Sequence, residues 1–351
     1  MDNNLEFFGI GGDNMIATGL NASYHIKDMA FLGFFEILKH LPFIRQVRKN
    51  LLSLVDEKKI QSVILIDYPG FNLNIAKRLH QKGIKIIYYI SPQIWAWGKK
   101  RIKKIKKLVI KMIVVFPFEE LMYREAGINV TYAGHPLVAQ INEYNFVPKN
   151  QFLTEQGLDG SKEILLVLPG SRLHEIQHIF SESIKAASVL AKEYNLQVVV
   201  ACAQNLDEKL FAPFKAQNNF AVVKGYTYEL FKYSHFGIIK SGTSTLEAGM
   251  FSLPCVVVYS IGKITYHIMK SLIKVENIAM ANIILRKTVL PELIQHESNA
   301  DTIYKESKNI LDDRKRYDEI KTALGNIKEI LGNENASQNA AKIILSVANG
   351  E

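Results

Sequence analysis

Residues 237–259 read GIIKSGTSTLEAGMFSLPCVVVY. The apolar run from Phe236 to Ile239 has the length and branching of a buried strand. It stops at Ser241-Gly242-Thr243, a helix-period segment follows, and Pro254 opens a second apolar run, Cys255 to Tyr259. Strand, tight turn, helix and strand make one βαβ unit, which implies a parallel sheet. Ligands of open α/β sheets bind at the carboxyl ends of the strands, where this turn falls. Gly242 permits close backbone approach, and the N–H groups of a helix start attract anions. Ser241, Gly242 and Thr243 are therefore a candidate diphosphate cradle, and Glu247 on the first helical turn can accept hydrogen bonds from ribose hydroxyls. A second reading competes. Ser244-Thr245-Leu246-Glu247 also has capping-box spacing, with Glu247 returning to a backbone donor.

The same rhythm extends in both directions. Downstream of a polar stretch, Asn142 to Asp159, the run Glu163 to Leu168 ends in Pro169-Gly170-Ser171-Arg172. This is another anion-type turn, with an arginine whose fork suits a phosphate. Further strands are expected at Leu196–Cys202 and Ala221–Val223. Upstream, strands are expected at Leu5–Ile10, Ser62–Ile66, Lys85–Ile90, Val109–Phe116 and Val130–Ala133. Gly9-Ile10-Gly11-Gly12 has the wrong spacing for a dinucleotide fingerprint and reads as a turn. The chain is thus α/β: two Rossmann-like domains facing a cleft, with a helical C-terminus. The polar stretch is taken as the linker, giving a first domain over 1–145, a second over 146–325, and a C-terminal segment, 326–351, packing back on the first. Two phosphate-type turns assign the nucleotide to the second domain and leave the acceptor to the first.

Composition narrows the function classes. With 351 residues, 48% of them hydrophobic, each half can bury a core. The two cysteines, Cys202 and Cys255, sit in apolar strand-like runs and read as buried thiols of a reducing compartment. No Cys/His cluster has zinc spacing, so no metal site is expected. A net charge of +9 points to anionic partners such as phospholipid, nucleic acid or a phosphorylated substrate. No apolar run reaches the roughly 18 residues of a membrane span, and the N-terminus lacks the pattern of a secretory signal.

Three further segments carry candidate chemistry. Asp67, in DYPGFN, follows the strand Ser62–Ile66 and so sits where catalytic groups are placed; it can equally cap a turn before Pro69. Met29 to Ile44 reads as one helix, apolar nearly all round, with Phe31, Phe34, Phe35, Leu38 and Leu41 in register and Arg45, Arg48 and Lys49 next. Such a helix is either buried or lies in a membrane interface with its basic neighbours on anionic lipid. Trp95 and Trp97 share one loop at the sheet edge, as a cleft lining or a hydrophobic plug. The run from Lys99 to Lys107 makes a dense cationic face without the aromatic interleaving of a nucleic-acid module.

In order along the chain, FFGIGGDNM, DYPGFN, SPQIWAWGKKRIKKI, YAGHPL, LPGSR, SGTSTLEA and NIILRKTVLPELIQ resemble the motifs of lipid-A-disaccharide synthases, from about Leu5 to the C-terminus. The resemblance implies the two-domain glycosyltransferase B fold. It implies condensation of UDP-2,3-diacylglucosamine with 2,3-diacylglucosamine 1-phosphate (lipid X) to a β-1,6 disaccharide and UDP, with inversion, no metal and no cofactor. The expected location is cytoplasmic, peripheral to the inner membrane of a Gram-negative bacterium, with no nucleic-acid partner; a homodimer is admissible. By motif, Asp67 falls on the general base. Ser171, Arg172, Ser241, Gly242, Thr243, Glu247, Asn282 and Lys287 fall on the UDP-sugar site. Lys287 stands where the family often has arginine. Asn72, Trp95, Trp97 and the phenylalanine-rich helix fall on the acceptor side. Family members begin with a further strand and helix carrying a GEASGD-type turn, and the expectation is that the first domain here is incomplete. Two other readings remain: another UDP-sugar enzyme of the same fold, an epimerase or peptidoglycan transferase, or a truncated, inactive membrane-surface protein.

Overall fold

The computed structural model describes residues 5–29, 39–96, 98, 101–262, 266, 270 and 275–350. The first half opens with β1 (Phe7–Gly11), α1 (Asp13–Ala17) and β2 (Leu20–His25), and β1 and β2 pair in parallel. Then come α2 (Leu41–Glu57), β3 (Ser62–Ile66), α3 (Pro69–Gln81), β4 (Lys85–Tyr89), α4 (Arg101–Leu108), β5 (Lys111–Val114), α5 (Pro117–Glu125), β6 (Val130–Tyr132) and α6 (Pro136–Asn142). Strands β3 to β6 form a parallel sheet in sequence order, separate from the β1–β2 pair.

The second half follows α7 (Lys149–Glu155). It contains β7 (Ile164–Leu168), α8 (Leu173–Glu193), β8 (Gln197–Cys202), β9 (Ala221–Lys224), α9 (Thr227–Tyr233), β10 (Ser234–Lys240), α10 (Thr243–Met250), β11 (Cys255–Tyr259), α11 (Met280–Leu285) and β12 (Glu292–Ile294). These strands form one parallel sheet in the order β12-β11-β10-β7-β8-β9. From β7 the chain first moves outward through β8 and β9, then returns to the other side of β7 and moves outward again. The reversal lies between β7 and β10. Every residue of β7 is buried, as expected for a central strand covered by helices on both faces.

Helices α12 (Ala300–Leu311), α13 (Arg314–Leu331) and α14 (Ala336–Asn349) close the chain. Leu324, Ile327 and Leu331 of α13 are buried in the second core. The division expected after residue 325 therefore falls in mid-helix. The crossing comes at Gly332, whose φ of 65° ends α13. It is anchored where the Tyr132 hydroxyl donates to the Leu331 carbonyl at 2.7 Å. At Gly134, whose φ of 95° favours glycine, a Cβ would crowd the Glu334 carbonyl at 3.2 Å, so glycine eases the close passage of the crossing segment. Beyond it, Ala340, Ile343, Ile344 and Val347 of α14 pack on Ile87 and Ile113 of the first sheet.

Several expectations change. The polar stretch 142–159 is no bare linker: it contains α7, with Phe152 and Leu153 buried, and Tyr144 donates to Glu229 at 2.9 Å. Strand β1 runs through Gly11, so the turn begins only at Gly12. Met29–Ile44 is not one helix. Met29 ends a 3₁₀ turn and a new helix starts at Leu41 with Pro42 in its first turn, where proline's missing N–H is harmless. Phe31, Phe34, Phe35 and Leu38 lie outside the described residues. The cysteines are free and buried, as read from sequence. Among the described residues no helix is long and apolar enough to cross a membrane.

The C-terminal crossing yields a test. Ala340 is 2% exposed against Ile87 and Ile113. Placing a carboxylate there without a partner should cost about 3 kcal/mol or more. Ala340→Asp is expected to lower the thermal midpoint by several degrees and Ala340→Ser by much less; equal midpoints would mean that α14 is not docked in solution.

Candidate active site

Strands β7 and β10 are neighbours, and the chain reverses direction between them. Their carboxyl ends carry Gly170-Ser171-Arg172 and Ser241-Gly242-Thr243. Adjacent strand ends at a reversal splay their connections to opposite faces and open a crevice between them. Gly242 (φ 147°) caps α10 and Gly170 (φ 124°) precedes α8, so both turns use backbone only glycine enters readily. At Gly170 a Cβ would also lie 2.9 Å from the Cβ of Glu175 and overlap its carboxylate.

Glu175, in the first turn of α8, joins the two turns. Its carboxylate accepts the Ser171 N–H at 3.0 Å, pairs with Arg172 at 3.3 Å and with Lys240, the last residue of β10, at 2.8 Å. Burial alone would raise its pKa. The Lys240 ammonium, the Ser171 N–H and the Arg172 guanidinium reverse that, and the carboxyl sits below its ordinary range. Asn205, in the loop after β8, donates to the Ser171 carbonyl at 3.1 Å. Glu175, Lys240 and Asn205 were missed in the sequence. The signal for Glu175 was present, an acid in the first turn after an anion-type turn, but Lys240 gives no sign outside three dimensions.

The remaining expected donor residues divide. Ser171 and Arg172 are exposed at the edge, and Thr243 opens α10. The Ser241 hydroxyl is occupied with the Ile278 carbonyl at 3.1 Å. Thr245 accepts the Met280 N–H at 2.9 Å, tying α10 to α11. Glu247 lies beyond the first turn of a helix that starts at Thr243, and Gly242 has no side-chain cap, so the capping-box reading fails. Its carboxyl is instead largely desolvated, which pushes its pKa up to about 7. Lys287 is exposed after α11. Asn282 is fully buried and spends its whole amide internally. It donates to the Leu290 carbonyl and to Glu292, and accepts from the N–H groups of Val289 and Leu290, all within 2.9 Å. It shapes the segment under the site and has no capacity left for a ligand, a correction to the expected direct contact.

In the first half, Asp67 stands at the carboxyl end of β3. Asp67 (φ 44°) and Tyr68 (φ 42°) are consecutive left-handed residues, each costing roughly 1–2 kcal/mol when not glycine. The turn is held from every side. The Tyr88 hydroxyl and the Asn72 amide donate to the Asp67 carbonyl at 2.6 and 2.7 Å; Asn72 also reaches the Ile66 carbonyl, and the Asp67 N–H donates to Tyr89. Desolvation raises the Asp67 carboxyl above its ordinary range, partly offset by the Tyr68 N–H. Both amide N–H groups of Asn72 are therefore spent on holding the Asp67 turn.

Trp95 is half-buried, its ring edge-on to Phe118 and its indole N–H donating to Glu119 at 3.0 Å. Glu119 is 1% exposed, and burial pushes its pKa up to about 7. Trp95 is accordingly a plug pinned to an acid, not an open lining. Trp97, Lys99 and Lys100 lie outside the described residues. His135 packs tilted against Phe116, ring centres 4.9 Å apart, and burial lowers its pKa to about 4, so it is neutral. Among the described residues no group of three or more His, Cys, Asp or Glu side chains could hold a metal ion.

Glu247 carries a stability signature. Its folded pKa lies above the unfolded value, so the folded state binds more protons and stability falls as pH rises from about 4.5 to about 7. Glu247→Gln removes this loss. Its stability advantage over the parent should grow by on the order of 2 kcal/mol between pH 5 and pH 8; a pH-independent difference in urea titrations would show that Glu247 ionises freely.

A family profile described as lipid-A-disaccharide synthetase matches residues 1–347. Curated lipid-A-disaccharide synthases are similar throughout. The Geobacter metallireducens protein is 36% identical over 350 residues, covering 99% of this chain and 91% of that one. The Myxococcus xanthus protein is 34% identical over 346 residues, covering 98% and 90%. Among solved structures, S. aureus MnaA with UDP superposes with a TM-score of 0.63 at 12% identity, covering 98% and 97% of the two chains. Neisseria meningitidis UDP-GlcNAc 2-epimerase bound to UDP-GlcNAc superposes with a TM-score of 0.61 at 12% identity, covering 97% and 100%. At that identity the likeness is one of fold. Sequence similarity over nearly the whole length decides the matter: the chain belongs to the lipid-A-disaccharide synthetase family of glycosyltransferases.

Proposed function

We propose that the protein transfers a 2,3-diacylglucosaminyl group from UDP to the 6-hydroxyl of 2,3-diacylglucosamine 1-phosphate, releasing UDP. The observation that carries this reading is the pair of glycine-bearing anion turns at the reversal between β7 and β10, in a chain of this family. The donor's diphosphate lies against Ser171, Arg172, Gly242 and Thr243, and Glu247 faces the ribose.

A sugar hydroxyl attacks only as its proton leaves, so a positioned carboxylate is needed. Asp67 takes that proton. The acceptor oxygen forms the new bond to the anomeric carbon on the face opposite UDP, the bond to the diphosphate oxygen breaks, and the configuration inverts. The strained turn supports this role, since strain held in place by several hydrogen bonds is a mark of pre-organised sites. A raised carboxyl pKa suits a base, because a stronger base is retained near neutral pH. The charge that builds on UDP meets Arg172 and the start of α10, so the reaction needs no metal ion. This reading, not an epimerase, accounts for the family match and for an acidic group on the acceptor half.

The enzyme works at the surface of the inner membrane, on its cytoplasmic face, as a peripheral protein. A groove of about 460 Å³ between α2 and α3 is lined by Arg45, Arg48, Lys49, Arg78 and Lys82. Asp56 is the acid in its lining and is already paired with Lys82 at 2.8 Å. Burial and the neighbouring charges of Lys77 and Arg101 lower the pKa of Lys104 beside it, as expected where cations crowd. Anionic headgroups relieve that repulsion, and the apolar segment 29–44 lies next to it in sequence.

Two measurements test these assignments. Asp67→Asn should lower turnover at least about 10³-fold while UDP affinity stays within about twofold, and the acidic limb of the parent's pH–rate profile should lie above the usual aspartate range. Retained turnover removes Asp67 as the base. Sedimentation with vesicles should show strong binding to anionic phospholipid and little to zwitterionic lipid; Arg45→Glu with Arg48→Glu should abolish it, and unchanged binding would remove the groove from the membrane contact.

A further inference from the structure

We infer that Lys240 is a direct cationic ligand of the donor's diphosphate, positioned by Glu175 across the reversal between β7 and β10. The inference rests on the donor reading above and adds to it a residue that the turn motifs do not contain.

The geometry begins with the strand. Lys240 is the last residue of β10 and pairs with Val258 of β11, so its backbone is fixed by that parallel ladder. Its side chain is 15% exposed, far less than a surface lysine. The ammonium stands 2.8 Å from Glu175 and 5.9 Å from the centre of the Tyr259 ring at the end of β11. It also lies 3.3 Å from the point where a side chain on Gly242 would begin. The ammonium is therefore beside the backbone expected to approach the diphosphate, and it shares one Glu175 oxygen, Oε1, with Arg172.

Charge accounting gives the ligand class. Glu175 is one carboxylate, and Lys240, Arg172 and the Ser171 N–H all point at it. One negative charge faces two positive ones and a backbone dipole, and an ammonium has three N–H donors of which Glu175 takes one. The excess is positive, and at Lys240 it is mostly dry, where an anion is held more strongly than at the surface. A diphosphate, with charge on both groups, can meet Arg172 at one end and Lys240 at the other. A monophosphate can meet one of them. Lys240 is thus predicted to read the second phosphate, while Glu175 gathers the two cations side by side at the ends of β7 and β10.

Calorimetric titration with UDP and UMP separates the outcomes. The parent should bind UDP more tightly than UMP. Lys240→Met should weaken UDP by about tenfold or more and leave UMP within about twofold, so the UDP/UMP preference collapses. Lys240→Arg should restore most of the preference. Because Lys240→Met leaves Glu175 with one cation, the double variant Lys240→Met/Glu175→Gln is measured too; it has no unpaired buried charge and should show the same loss of preference. A preference that survives in the double variant, or a single variant that weakens UDP and UMP equally, overturns the role of Lys240. A parent that binds neither nucleotide overturns the donor reading and this inference with it, whereas a parent that binds UDP with the preference intact in the variants overturns the inference alone.

Discussion

One buried carboxylate organises the nucleotide half. Glu175 faces Lys240, Arg172 and the Ser171 N–H, and so joins the ends of two strands that the chain visits some seventy residues apart. Without that contact the two turns would be separate loops on a common sheet. With it they form the two walls of one crevice. The constraint is electrostatic as well as geometric: a carboxylate with partners stays ionised in a dry place, and its partners cannot relax away without leaving it unpaired.

The other carboxyl groups show the opposite case. Among the described residues Asp67, Glu119 and Glu247 have no cationic partner, and burial raises all three, Glu119 and Glu247 to about 7. Glu119 uses its acid to hold the Trp95 indole. At Asp67 the carboxyl meets the Tyr68 N–H, whereas it is the Asp67 carbonyl that Tyr88 and Asn72 grip. The backbone is locked by side chains that leave the carboxyl to its own backbone contact, an arrangement that suits the role proposed for Asp67.

Much of the fold was legible because parallel strands covered on both faces read as unbroken apolar runs: β7, β11 and the Phe236–Ile239 run of β10 are buried almost throughout and lie within a few residues of the expected ends. Strand β2, LNASYH, was not found, for it is half exposed and pairs with β1 alone. Strand β12 is three residues long, too short to show a period. The two turns were legible through glycine and neighbouring polar residues. What could not be read was who faces whom. Asn282 looks like a ligand residue in sequence, and burial with a fully used amide makes it a scaffold. Glu247 has capping spacing, yet the helix starts early enough to strand it past the cap. Lys240 looks like an ordinary strand-end lysine until the Glu175 carboxylate is seen beside it.

The left-handed pair Asp67–Tyr68 has an evolutionary side. Glycine at 68 would adopt that conformation without the steric penalty and tighten the folded state. It would also remove the Tyr68 ring, which stacks on Phe71, and the hydroxyl that donates to Met29. Drift toward a hardier scaffold would therefore tend to slacken the corner on which Asp67 is mounted. Lineages adapting to heat would be expected to gain their robustness elsewhere, leaving this awkward corner as it is.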